Sequence, residues 1–324
     1  MTARISPKKY GKRLNAAAPD RTAPSLRMRA MSLMMRVIAR PKLTRLTTPV
    51  DAARQFERTA RRVFRRPPYM CHLTESGTPI LQWLSVGKCH ARRVVLYLHG
   101  GAYVVGNGTS HSGMLGRLSK LTGLRVAAPD YRLLKDAPFP AAFEDAVAAW
   151  DHLIARGYDP ENIVLGGDSA GGGLMFALLA HLTERGTSPA CAFAFSPWTD
   201  LTLSGESMQA IAKTEVLLPV ERMGEAVQLY LDGARADDPR ISPLFARYVA
   251  PPPVLIQVGS GEALLDDARR MAAHLRDAGG ACQLDIWEDA PHVWQIMDGW
   301  IPEARAALRD TAAFVQTSLD NANR

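Results

Sequence analysis

From residue 92 onward, short apolar runs alternate with longer segments in which apolar residues recur at a helical period. The runs at 93–98 (R-V-V-L-Y-L), 163–165 (I-V-L) and 254–258 (V-L-I-Q-V) are too short for helices and too continuously apolar for half-exposed strands, so they read as buried strands. On this pattern strands are predicted near 69–74, 79–86, 92–98, 125–129, 162–167, 191–195, 253–258 and 282–287, with helices near 141–156, 170–185, 264–278 and 302–319. Strand and helix in alternation imply a mostly parallel sheet with helices on its faces. The segment from about 200 to 250 breaks the alternation and holds one amphipathic run, 220–231, between prolines, which reads as an insertion capping the sheet. Near the N-terminus, Met31, Met34, Met35 and Ile38 fall on one helical face and Arg29, Arg36 and Arg40 on another, and Pro41 is expected to end the run.

A chain of 324 residues with 47% apolar composition can bury one large core. The expected organisation is a basic helical segment over 1–66 that forms part of a cap, a catalytic domain over 67–200 and 251–324, and a cap insertion over 201–250. Charge is unevenly placed: residues 1–66 hold 18 Lys or Arg against 3 Asp or Glu, whereas the remainder is net negative. Two readings of that segment stand side by side. Its helices complete the cap, packing an apolar face over the pocket mouth with the arginines in water, or one of them lies on an anionic lipid surface as a weak membrane contact. Nucleic acid is not an expected partner, because no recognised nucleic-acid fold accompanies the charge. The apolar run near 31–38 is short and broken by Arg36, so neither a secretory signal nor a membrane span is expected, and a cytoplasmic location is the default. Cys71, Cys89, Cys191 and Cys282 show no metal or redox spacing.

The candidate chemistry begins at Gly167-Asp168-Ser169-Ala170-Gly171, set between the strand at 163–165 and the helical stretch 174–182. A serine at the tip of a strand–turn–helix is forced toward a strained backbone and sits at the positive end of a helix, which favours an oxyanion nearby. About seventy residues upstream, His99-Gly100-Gly101-Ala102-Tyr103 follows a central strand, and its bare glycine amides suit an oxyanion hole. The expected donors are the amides of Gly100, Gly101 and Ala170. Of eight histidines, His292 alone lies in a loop after the nucleophile and past the strand at 253–258, the order this kind of turn requires, so it is the expected base; His99 reads as structural. Nothing in this set calls for a cofactor or a metal.

Together these motifs resemble the bacterial hormone-sensitive-lipase-like branch of the α/β-hydrolase superfamily. The resemblance extends through Asp130-Tyr131-Arg132-Leu133, Pro138-Phe139-Pro140-Ala141, Ser196-Pro197-Trp198-Thr199-Asp200-Leu201 and Pro291-His292-Val293-Trp294, over roughly residues 70–320. It implies an eight-stranded α/β-hydrolase fold and a carboxylesterase, close to monoterpene-lactone-hydrolase-like members. Where many relatives carry Asp-Pro-Leu, this chain has Glu262-Ala263-Leu264, so the resemblance puts Glu262 on the family's acid; Asp266, four residues on, is the runner-up. Short- to medium-chain acyl esters or lactones are the implied substrates, with a pocket drawing on Tyr103, Trp198, Met208, Leu217, Val293 and Trp294. A receptor-like binding protein on the same fold is the alternative, disfavoured by the presence of His292. The strand at 282–287 is a candidate edge for a homodimer.

Overall fold

A computed structural model of the chain describes residues 23–45 and 48–322. Eight strands, β1 (Met70–Glu75), β2 (Ile80–Val86), β3 (Val94–Leu98), β4 (Arg125–Asp130), β5 (Ile163–Asp168), β6 (Cys191–Phe195), β7 (Val254–Gly259) and β8 (Cys282–Trp287), form one sheet in the order β1-β2-β4-β3-β5-β6-β7-β8. β2 runs antiparallel to β1 and to β4, and every other pairing is parallel. All residues of β3, β5, β6 and β7 are buried, as a sheet covered on both faces demands of its central strands.

The covering helices are α1 (Leu26–Met34), continued by a π-helical turn (Met35–Ala39), α2 (Arg40–Thr44), α3 (Pro49–Val63), α4 (Ser112–Thr122), α5 (Ala141–Ala155), α6 (Ser169–Glu184), α7 (Glu206–Ala210), α8 (Val220–Leu231), α9 (Leu265–Asp277) and α10 (Pro302–Ala322). The two-residue alternation of the strands sorts their side chains between two cores. Leu96, Leu165 and Ile256 meet Trp150 of α5, Leu178 of α6 and Met271 of α9. Val95, Val164 and Leu255 meet Leu118 of α4 and Leu308 and Val315 of α10 on the other side. Each such side chain contributes about 1.5–3 kcal/mol by leaving water.

Helix α4, like the short α7, escapes the sequence pattern. It contains Gly113 and Gly116, poor helix formers, and the packing explains both. A Cβ at Gly113 would lie 2.6 Å from the Arg65 carbonyl oxygen, and one at Gly116 would lie 2.6 Å from the Met70 sulfur, so the segment that leads into β1 lies directly on this helix.

The N-terminal helix departs from expectation in its rotation. Met28 and Met35 are buried, with Met31 half-buried, against Trp287, Trp294, Met297 and Ile301. Met34 and Ile38 point outward instead, joined by Leu26, Leu33 and Val37, which are 83%, 63% and 63% exposed. The arginines expected in water fix that rotation. Arg40 donates to the carbonyl oxygens of Glu215 (2.9 Å) and Ala212 (3.0 Å) and to Glu221 (3.2 Å), and Arg36 donates to the Lys213 carbonyl at 3.3 Å. Pro41 does not end the run; the helical backbone passes from the π-helical turn through it to Thr44.

Candidate active site

The pairings Leu98 with Gly167, Asp168 with Phe195, and Gly259 with Trp287 bring the carboxyl ends of β3, β5, β6, β7 and β8 to a common edge of the sheet. The loops leaving that edge carry His99 to Tyr103, Ser169, Ser196, Glu262 and His292. Residues scattered over nearly two hundred positions therefore meet because the strands that present them lie in register.

Ser169 is the first residue of α6 and has φ +52°, the strained left-handed conformation of a sharp strand-to-helix turn. The turn needs close approach behind it: a Cβ on Gly171 would lie 2.2 Å from the carbonyl oxygens of both Leu98 and His99. The Ser169 Oγ lies 2.9 Å from His292 Nε2, and His292 Nδ1 lies 2.7 Å from Glu262 Oε2. The second Glu262 oxygen accepts from Ser196 Oγ (2.7 Å) and from the Gly259 amide (2.6 Å). Serine, histidine and glutamate are all buried. Burial alone would push the His292 pKa down. The hydrogen bond and charge of Glu262, with the charges of Glu215 and Asp168, outweigh it and hold the imidazole above its ordinary value.

Asp266, the other candidate acid, is not brought to His292. Its carboxylate accepts from the Ser207 amide at 2.8 Å and faces Arg269 at 3.4 Å, tying α9 to α7.

One expected oxyanion donor is corrected. The Gly100 amide donates to Asp168 Oδ1 at 3.0 Å, so it is not free to meet a substrate oxygen. Asp168 also accepts from Tyr97 at 2.9 Å and faces His111 at 3.6 Å. Burial works to raise its pKa, but these neighbours leave it lowered, so the carboxylate stays charged. The next two residues, Gly101 (φ +127°) and Ala102 (φ +55°), turn left-handed, and their amides, like that of Ala170 in the first turn of α6, have no acceptor among the described residues. The three amides belong to the two loops that flank Ser169. His99 has a structural role: its Nδ1 lies 2.9 Å from the Gly100 carbonyl, its ring stacks on Tyr131 at 4.2 Å, and burial pushes its pKa down to about 3.

The expected pocket residues separate into two groups. Tyr103, Trp198 and Met208 are buried on the side of the sheet that carries α6 and α8, with Tyr103 stacked on Tyr230 of α8 at 4.0 Å; Leu217, in the insertion, is half-buried. Val293 and Trp294 face away into other clusters, Trp294 packing on Trp287 and the buried face of α1. Their sequence position beside His292 says nothing of direction, because Val293 has φ +50° and reverses the chain. Among the described residues, no group of three or more His, Cys, Asp or Glu could hold a metal ion.

Two site residues went unassigned by the sequence. Ser196 Oγ donates to Glu262 and accepts from the Val293 amide at 3.1 Å, joining the loop of Glu262 to that of His292. Glu215, from the insertion, accepts from the Ala263 amide at 2.9 Å. The sequence signal for Ser196 was its place at the end of a predicted strand; for Glu215 there was none.

The fold and this edge of the sheet define an α/β hydrolase. The family described as having the alpha/beta hydrolase fold matches residues 95–296, and the chain belongs to it. Its relatives include an acetyl-hydrolase of Streptomyces hygroscopicus, 38% identical over 75% of this chain and 84% of that protein, and an esterase of Acinetobacter venetianus, 34% identical over 72% and 77%. Among solved structures, an esterase of the bacterial hormone-sensitive lipase family superposes with a TM-score of 0.86 at 36% identity, covering 92% of this chain and all of that one. EstE5 soaked with p-nitrophenyl butyrate superposes with a TM-score of 0.86 at 32% identity, covering 91% and 99%. The protein is an ester hydrolase of the hormone-sensitive-lipase-like branch.

Proposed function

We propose that the protein is a serine carboxylesterase working through Ser169, His292 and Glu262. The observation that carries this reading is the unbroken run of short contacts from Glu262 Oε2 through both ring nitrogens of His292 to Ser169 Oγ. His292 takes the serine proton as Oγ attacks the ester carbonyl, Glu262 holds the tautomer with its proton on Nδ1, and His292 returns the proton to the leaving alkoxide. The amides of Gly101, Ala102 and Ala170 receive the oxyanion, and water then cleaves the acyl-enzyme by the reverse roles. The substrates are short- to medium-chain acyl esters or lactones, a lactone being a cyclic ester that the same attack opens, as in monoterpene-lactone-hydrolase-like members. The acetyl-hydrolase name of the Streptomyces relative is in keeping with a short acyl group. Hydrolysis of p-nitrophenyl esters from acetate to palmitate is expected to peak at short or medium chains and to fall by about four orders of magnitude or more in Ser169→Ala. An absence of serine-dependent turnover on every ester would favour the receptor-like alternative.

The same reading assigns residues 1–66, of which 1–22 and 46–47 lie outside the described residues, and 201–250 to a cap, supported by the Arg40 bonds that join α2 to the insertion. Four unpaired cysteines accord with a reducing, cytoplasmic location. β8 pairs only with β7 among the described strands and offers its other edge to a second copy in a homodimer. The outward apolar residues of α1, set among arginines, favour a weak contact with an anionic lipid surface.

A further inference from the structure

We propose that Glu215 is a positioning residue of the esterase site, the point at which the insertion holds the loop bearing the acid. The proposal rests on the Ser169–His292–Glu262 reading above and adds a second carboxylate that acts through it. Glu215 lies between α7 and α8, in a segment that is otherwise partly exposed, yet it is only 1% exposed. Oε2 accepts from the amide of Ala263, the residue directly after Glu262. Oε1 accepts from the amides of Leu217 (2.9 Å) and Leu218 (3.3 Å) in its own loop. Arg40 binds the Glu215 carbonyl oxygen at 2.9 Å rather than its carboxylate, which instead meets three amide dipoles.

That arrangement does two things. It fixes the Glu262–Ala263 peptide from one side while Ser196 and Gly259 fix the Glu262 carboxylate from the other. It also places a second negative charge where His292 feels it. Three elements direct charged groups at that imidazole: Glu262 from the loop after β7, Glu215 from the insertion and Asp168 from the end of β5. As Ser169 attacks, His292 becomes an imidazolium, and a fixed carboxylate nearby stabilises it without reorganisation. A carboxylate at 215 suits both tasks. An amide side chain keeps one acceptor oxygen but turns an NH2 toward a backbone N–H, and it carries no charge.

The test compares pH profiles of kcat/KM on p-nitrophenyl acetate for the full chain, Glu215→Gln and Glu215→Asp, with Ser169→Ala alongside. Removing a negative charge lowers the imidazole pKa, so the acid limb of Glu215→Gln is expected to move down by roughly half a pH unit. Its kcat is expected to fall about tenfold or more with KM within about twofold, because a loosened acid loop affects the transition state more than ground-state binding. Glu215→Asp keeps the charge but withdraws the acceptor by one methylene; its acid limb is expected to stay in place while kcat falls several-fold, and this variant decides the positioning role should Glu215→Gln not fold. Wild-type kcat in Glu215→Asp, or an unmoved acid limb in folded Glu215→Gln, overturns the proposal. Turnover that vanishes in Ser169→Ala while both Glu215 variants behave as wild type retires Glu215 alone; turnover that survives in Ser169→Ala retires the triad itself.

Discussion

Glu262 has one more methylene between backbone and carboxylate than an aspartate would, and the loop after β7 has to absorb it. It does so by curling: Glu262 Oε1 returns to the amide of Gly259, three residues back, while Oε2 reaches His292. Glu262→Gln is therefore expected to lower kcat/KM by roughly three to four orders of magnitude, and Asp266→Asn to stay near wild type, since Asp266 bonds Ser207 instead. Steady-state kinetics on one ester decides between them, and a severe loss in Asp266→Asn beside a normal Glu262→Gln would reverse the assignment. The proposed Ser169 and His292 could be picked out of the sequence by a strand–turn–helix and a chain order, and Glu262 by its loop at a strand end together with the family resemblance, which left Asp266 as runner-up. Which amides face the substrate could not be read there. Gly100 reads as free until Asp168, 68 positions away, is seen to accept the hydrogen bond of its amide. Glu215 was hidden for the same reason, since its partner amide lies 48 residues further on.

Elements defined by strong periodicity fell close to their predicted bounds: β6 and β8 match at both ends, and α5 ends one residue early. Their own side-chain patterns decide them: a continuous apolar run in the buried β6, an apolar–polar alternation in the half-buried β8 and a helical period in α5. In α4 and α1 tertiary contact decides. Gly113→Ala would improve the local helix by about 1 kcal/mol, but the new Cβ meets the Arg65 carbonyl. The net expectation is a destabilisation of about 1–2 kcal/mol, seen as a lower midpoint in thermal unfolding. A raised midpoint would mean that the segment before β1 yields to the methyl. The rotation of α1 could not be read either, because methionines and leucines ring the helix and apolar pattern alone leaves two faces open; Arg36 and Arg40 choose between them through carbonyls in the insertion.

At the scale of the molecule, basic residues are concentrated in the first 66 positions, the part of the chain that also displays Leu26, Leu33 and Val37 to solvent. Flotation with vesicles rich in phosphatidylglycerol is expected to carry the protein, pure phosphatidylcholine vesicles to carry less, and Leu33→Glu with Val37→Glu to abolish the difference while leaving hydrolysis of a soluble ester intact. Equal recovery with both vesicles, unaffected by the substitutions, would leave this face without a lipid role. No helix among the described residues is long and apolar enough to cross a membrane. The insertion has a different bearing on engineering. In the proposed mechanism acid, base and nucleophile all stand on loops of the sheet, so a designer who wants new selectivity would naturally exchange the proposed cap between related enzymes and expect the chemistry to survive. The bond from the Ala263 amide to Glu215 sets a condition on that transplant: the donor cap has to bring an acceptor to the same point, or the graft will alter the reaction rate along with the choice of substrate.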